Sequence, residues 1–188
     1  MKQTKLGILL YVILIIPPIA TYMESTMAVH MLIQFPLLIL AGWLIGEWMM
    51  KRWPYHFLKW DTNGIAGIIL VVFITTYWMF PRAMDESLSI WYIELFKFIS
   101  LPFVGILLRN SWRKLTIIGR SFVFLNYLSM FGLMGWFYID SPVQICNNYL
   151  EIEQQMLGWG FLVITAIMAV YVLQKCFISG TKSNVNQI

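Results

Sequence analysis

The sequence predicts an all-α, polytopic membrane protein: a bundle of six transmembrane helices with both termini on the cytoplasmic side. Three observations carry this expectation. The chain has 188 residues, 60% of them hydrophobic and only 12% charged, where a soluble domain carries about a quarter charged residues. The apolar residues gather into six long runs. The few basic residues fall almost entirely on one side of those runs. Such a composition excludes intrinsic disorder, nucleic-acid wrapping and an ordinary cytosolic enzyme.

The runs lie at about Leu6–Tyr22, Met27–Met50, Gly64–Phe80, Leu88–Leu108, Ser121–Ile139 and Met156–Phe177. Each is 17 to 24 residues long, the length a helix needs to cross the hydrocarbon of a bilayer. Short alternating segments of the kind that build a barrel are absent. In the first run Pro17 and Pro18 predict a kink or an early stop. Pro36 and Pro102 interrupt the second and fourth, which membrane helices tolerate when neighbours satisfy the freed carbonyls. Residues 1–180 read as a single helical domain, and the tail 181–188, Thr-Lys-Ser-Asn-Val-Asn-Gln-Ile, as a disordered cytoplasmic end. A basic start before an apolar run can also mark a signal peptide. This run is long for one and no A-x-A site precedes Glu24, so an uncleaved first helix is expected.

Charge sets the orientation. Lys2 and Lys5 precede the first run; Lys51, Arg52 and Lys59 follow the second. Arg109, Arg113, Lys114 and Arg120 follow the fourth, and Lys175 and Lys182 end the chain. The opposite connections hold Arg82 against Glu24, Asp85, Glu86, Asp140, Glu151 and Glu153. The positive-inside rule then places both termini in the cytoplasm. Trp78, Trp91, Trp136 and Trp159 fit an interfacial aromatic belt.

Two features are not needed for topology. On the acidic side, Met27, His30 and Gln34 share one helical face, with Met31, Met79 and Met84 near the same level. Thioether and imidazole are ligands that suit Cu(I), so His30, Met27, Met31 and Met79 form a candidate copper site. The plainer reading is packing, since methionine fills gaps in any apolar core. The second feature is Glu94 and Lys97, three residues apart in the fourth run and near its middle. Charges there are usually paired or functional, and an internal Glu94–Lys97 ion pair is expected. Cys146 and Cys176 are too few for a disulfide framework. No Walker, GxGxxG, HExxH or GxSxG motif occurs, so no enzymatic activity is expected.

The acidic-side segments resemble the CtaG family of multi-span proteins, implicated in assembling bacterial cytochrome c oxidase and its copper centres. The family's histidine–methionine repeat and Pro-Leu-Leu stretch is similar to residues Thr26 to Leu38. Its Trp-His-x-Pro element ahead of an Asp is similar to Trp78-Met79-Phe80-Pro81 with Asp85. Its late Asp-Gln motif with glycines is similar to Glu153-Gln154-Gln155-Met156-Leu157-Gly158. Thr26 and Met79 stand where the family has histidines, and the fourth run has none, so only His30 carries over by identity. The resemblance implies a divergent accessory protein of a bacterial inner membrane, handling Cu(I) or assembling a respiratory oxidase. The lipid bilayer and other membrane subunits would be its partners, and nucleic acid would not. The alternative is a small transporter, or a structural subunit of a membrane complex, that uses the Glu94/Lys97 pair.

Overall fold

The computed structural model describes residues 2–141 and 144–185, and among them every regular element is helical. Four helices are long and apolar enough to cross a membrane, and the number rises to 6 if each of two bent pairs forms one span. The side chains of Cys176 and Lys182, and residues 186–188 of the expected tail, lie outside the described residues.

The first bent pair is α1 (Lys2–Ile15) and α2 (Pro17–Glu24), which meet at 71°. Ile16 is extended, φ −58° and ψ 123°, because a residue preceding proline avoids the helical region. Pro17 then opens the next helix, where its missing N–H costs nothing. Helix α3 runs from Met27 to Arg52. It includes a wide turn at His30–Gln34, closed by the Phe35 N–H donating to the His30 carbonyl. Such π-type turns insert an extra residue and re-aim the side chains around them. A short α4 (Pro54–Trp60) follows.

The second bent pair is α5 (Ile65–Met79) with α6 (Pro81–Ser89), at 72°. Phe80 is again an extended residue before proline, so residues 81–89, which the sequence reading leaves to a loop and the start of the fourth span, form a separate helix. Helix α7 (Trp91–Trp112) carries Pro102 inside it without breaking. A proline there leaves the carbonyl four residues back without its helical donor. That carbonyl is Phe98's, and the Tyr11 hydroxyl of α1 donates to it at 2.9 Å. Helix α8 (Ile117–Asp140) is capped by Thr116, whose hydroxyl accepts from the Gly119 N–H at 3.2 Å. Helix α9 (Glu151–Val185) continues into the segment expected to be disordered.

Helices α1, α3, α5 and α7 form a body, and α8 and α9 a hairpin whose two helices pack mainly on each other. The body is held by the crossing of α3 over α7. A Cβ at Gly42 would lie 1.9 Å from the Pro102 carbonyl oxygen, and one at Gly105 would lie 1.9 Å from that of Ile39. Only glycine lets the two backbones approach so closely, a common device where water exclusion cannot drive helices together. Gly46, one turn further on, is less crowded, its Cβ position being 3.3 Å from the Ile106 Cα.

At the end of the bundle that carries most of the basic residues, Asp61 is buried and ties three segments together. Its carboxylate accepts from the Gly67 N–H at 3.1 Å and from Asn110 and Ser111 of α7, both at 2.7 Å. Lys114 donates to its carbonyl at 2.6 Å. Gly64, φ +77°, makes the turn between Asp61 and α5 in a conformation that L side chains rarely adopt.

Candidate functional site

The opposite, acidic end holds a buried polar network built from four separate segments. The break between α2 and α3 brings Glu24 over the bundle. The wide turn at the start of α3 aims His30 and Gln34 inward, both 0% exposed. Lys97, on α7 and also 0% exposed, reaches the Glu24 carboxylate at 2.5 Å. The Gln34 amide donates to the same oxygen at 3.2 Å. Lys97 Nζ lies 3.5 Å from His30 Nε2 and 4.7 Å from the Phe98 ring centroid. On the far side of the imidazole, Nδ1 is 2.9 Å from the hydroxyl of Tyr149, in the segment joining α8 to α9. That hydroxyl also donates to the Glu24 carbonyl at 2.7 Å.

Counting protons fixes the histidine tautomer. Tyr149 has one hydroxyl proton, and the Glu24 carbonyl can only accept it. The Tyr149 oxygen must therefore accept from His30, which puts the imidazole proton on Nδ1. Nε2 is left as the acceptor facing the Lys97 ammonium. Burial, with the Glu24 charge second, pushes the Tyr149 phenol well above its usual range, so it remains a donor at any physiological pH. Phe35 closes the site with its ring set edge-on to the imidazole, centroids 4.9 Å apart. Within the network the Oε1 of Gln34 is buried without a hydrogen-bond partner among the described residues.

The segment containing Tyr149 is fastened independently. Asp85 of α6 accepts from the Asn148 backbone N–H at 3.0 Å and from the Asn147 and Asn148 side chains at 3.0 and 2.8 Å. The buried Gln154 side chain of α9 accepts from the Ile145 N–H at 3.0 Å and donates to the Tyr138 carbonyl at 3.2 Å. Cys146 is buried against the Pro81 carbonyl. Burial, with the Asp85 charge second, pushes its thiol up to about 12, so it stays protonated and lacks the thiolate that a soft metal prefers. Tyr149→Phe deletes the hydroxyl that serves both Glu24 and His30. The expected loss is about 1–3 kcal/mol for each buried group left unpaired, read as a lower unfolding midpoint in detergent. An unchanged midpoint would contradict the network.

The expected site residues divide clearly. Met27, His30 and Gln34 are all buried on one inward face, as their spacing suggests, and Met31, Met79 and Met84 are buried in the same hydrophobic cluster as Met27. His30, placed first as a copper ligand, has both ring nitrogens engaged within the protein, one of them facing a cation. No group of three or more His, Cys, Asp or Glu side chains suited to a metal occurs among the described residues.

The internal pair needs correcting. Lys97 forms its ion pair with Glu24, not Glu94. Glu94 lies in the first turn of α7, half-buried, where a carboxylate is favoured by the helix N-terminus. Because α7 begins at Trp91, Lys97 stands six residues or about 9 Å inside it, between its first turn and its middle. Trp78 is also displaced from the expected belt: it is 1% exposed and donates to the Ser100 hydroxyl at 2.9 Å. Trp91, Trp136 and Trp159 do face outward. Sequence reasoning missed Glu24 and Tyr149 as site residues. The available signal was the scarcity of charge, since a buried lysine requires a partner and Glu24 is among the few acids on the correct side.

Neither the curated proteins nor the solved structures contain a match to this sequence. The family profile that does match covers residues 5–179, nearly all of the bundle and the whole of the network just described. The chain therefore belongs to the family described as protein of unknown function, DUF1404.

Proposed function

We propose that the protein is a six-span accessory subunit of a membrane complex, with no turnover chemistry of its own and with its acidic end facing away from the cytoplasm. The observation that carries this reading is how the buried charges are used. Glu24, Lys97, His30 and Tyr149 each bond to another segment of the same chain, and so they hold the connection between α8 and α9 against the bundle. A network spent in this way gives shape to an end surface. A transport pathway would instead require groups free to exchange partners. Basic residues at the opposite end support cytoplasmic termini, with each bent pair acting as one span.

The resemblance to CtaG-type proteins makes a respiratory oxidase of a bacterial inner membrane the partner to test. Subunits of that oxidase are expected to co-purify with the protein in mild detergent. Asp85→Ala, which releases Asn147 and Asn148, should reduce their recovery while the isolated protein still folds. Recovery of the wild-type protein without oxidase subunits would overturn the assignment.

A copper-handling reading is favoured by one separate observation: Met27, Met31, Met79 and Met84 lie in one buried cluster at the acidic end. With His30 committed to Tyr149 and Lys97, the thioethers would be the principal ligands. Protein purified under reducing conditions should then bind Cu(I), less of it in Met27→Leu and Met79→Leu variants, with a smaller loss in His30→Ala. Absence of bound Cu(I), or stoichiometry unchanged in all three variants, would remove this reading.

A further inference from the structure

Between the body and the α8–α9 hairpin lies a cavity of about 450 Å³. We propose that it holds one hydrocarbon chain of an anionic membrane lipid, drawn from the leaflet at the basic end of the bundle. Its walls come from α3, α5, α7, α8 and α9, and include Val71, Leu101, Val104, Val123 and Ile164. They are almost wholly apolar. The polar pair within them, Thr75 and Tyr127, is satisfied internally. The two hydroxyls are 2.7 Å apart and Thr75 donates to the Val71 carbonyl at 2.8 Å, so Tyr127 spends its proton on Thr75. No donor remains in this pair to recognise a head group, and the cavity therefore suits a chain.

Size and position identify the chain. Protein interiors rarely leave such space: an apolar cavity of about 150 Å³ already stays dry and takes up benzene. Along α7 this one extends from Leu101 to Trp112, eleven residues or about 16 Å. Half the thickness of a bilayer's hydrocarbon is about 15 Å. On α3 and α5 the lining continues to Met31 and Met79 toward the acidic end, so the space has room for the whole of one leaflet's acyl chain. Its wall residues Thr75, Phe124, Tyr127, Met130 and Ile164 are only half-buried, so the space communicates with the surroundings of the bundle. In a spanning protein those surroundings are lipid.

Charge at one end selects the head group. Trp112 closes the cavity at the basic end, and the Arg120 guanidinium lies 5.8 Å from its ring. Arg120 donates to the Trp112 and Arg113 carbonyls. Arg113 itself is exposed beside it. A chain filling the cavity would place its head group by these two guanidinium groups, where a phosphate bearing net negative charge is favoured over a zwitterion. This inference depends on the membrane location and not on the accessory or copper readings.

The test uses the full-length protein in lipid nanodiscs with a photoreactive diazirine at the end of one acyl chain. It compares a phosphatidylglycerol probe with the matching phosphatidylcholine probe, and cross-linked residues are mapped by mass spectrometry. The expected result is labelling at cavity positions such as Val71, Val104 and Ile164, several-fold stronger with phosphatidylglycerol. Val123→Trp, which fills the cavity, should abolish that labelling while lipid-facing Phe73 and Ile99 remain labelled. Ile164→Phe is a milder filling variant, read at Val71 and Val104, in case the first does not fold. Arg120→Gln should remove the preference for phosphatidylglycerol and leave the cavity labelled. Labelling confined to outward faces, or equal cavity labelling by the two lipids, would overturn the proposal.

Discussion

Glu24→Gln is expected to destabilise the protein by about 3–5 kcal/mol. The substitution leaves the Lys97 ammonium, 0% exposed, with a neutral amide, an imidazole and the Phe98 ring beside it and no ion-pair partner among the described residues. A buried charge that has lost its partner costs more than the intact pair contributes, because its desolvation is no longer offset. The double variant Glu24→Gln, Lys97→Met removes both charges and should regain most of the loss, since a methionine suits the same apolar surroundings. Glu94→Gln, at a half-buried first-turn position outside any ion pair among the described residues, should stay within about 0.5 kcal/mol of wild type. Equilibrium denaturation in mild detergent measures all three. A Glu94→Gln cost equal to that of Glu24→Gln would refute the pairing and restore the local one.

Gly105→Ala is expected to be, with Gly42→Ala, among the most damaging single methyl additions in the body. The added Cβ would sit 1.9 Å from the Ile39 carbonyl oxygen and 2.6 Å from the Trp43 nitrogen. Both are backbone atoms, so no side-chain rotation relieves the overlap and α3 must move away from α7. Overpacking usually costs about 1–3 kcal/mol; here the cost should reach the top of that range or prevent folding. Gly46→Ala, facing Ile106 Cα at 3.3 Å, needs a shift of only a few tenths of an ångström and should cost much less. Yield of monodisperse protein, with the unfolding midpoint, distinguishes the two. Equal stability of Gly105→Ala and wild type would show that the helices do not cross this closely.

The candidate site was partly legible before the fold was known. Met27, His30 and Gln34 stand at spacings that any helix places on one face, and the wide turn at His30–Gln34 leaves that face buried. Glu94 and Lys97 were equally suggestive and misleading. Three-residue spacing makes neighbours on a helix surface, yet the lysine points across the bundle to a carboxylate 73 positions earlier in the chain. Pattern reading favours local partners because it has no measure of distance between segments. Tyr149 was beyond its reach for the same reason, lying in an irregular connection held by Asp85 and Gln154 from two other helices.

Apolar runs of membrane length, the two proline breaks and the sorting of basic from acidic connections are properties of the chain read one segment at a time. Hydropathy and backbone stereochemistry act locally, so the sequence alone determined the helical class, the presence of helices of membrane length and the face that carries His30. Which charges meet depended on bringing α2, α3, α7 and the Tyr149 segment to one point. Where the helices cross was decided by Gly42 and Gly105, and where space remains by the hairpin standing off the body. These are consequences of several segments excluding volume and satisfying charge together in three dimensions, and only the tertiary structure decided them.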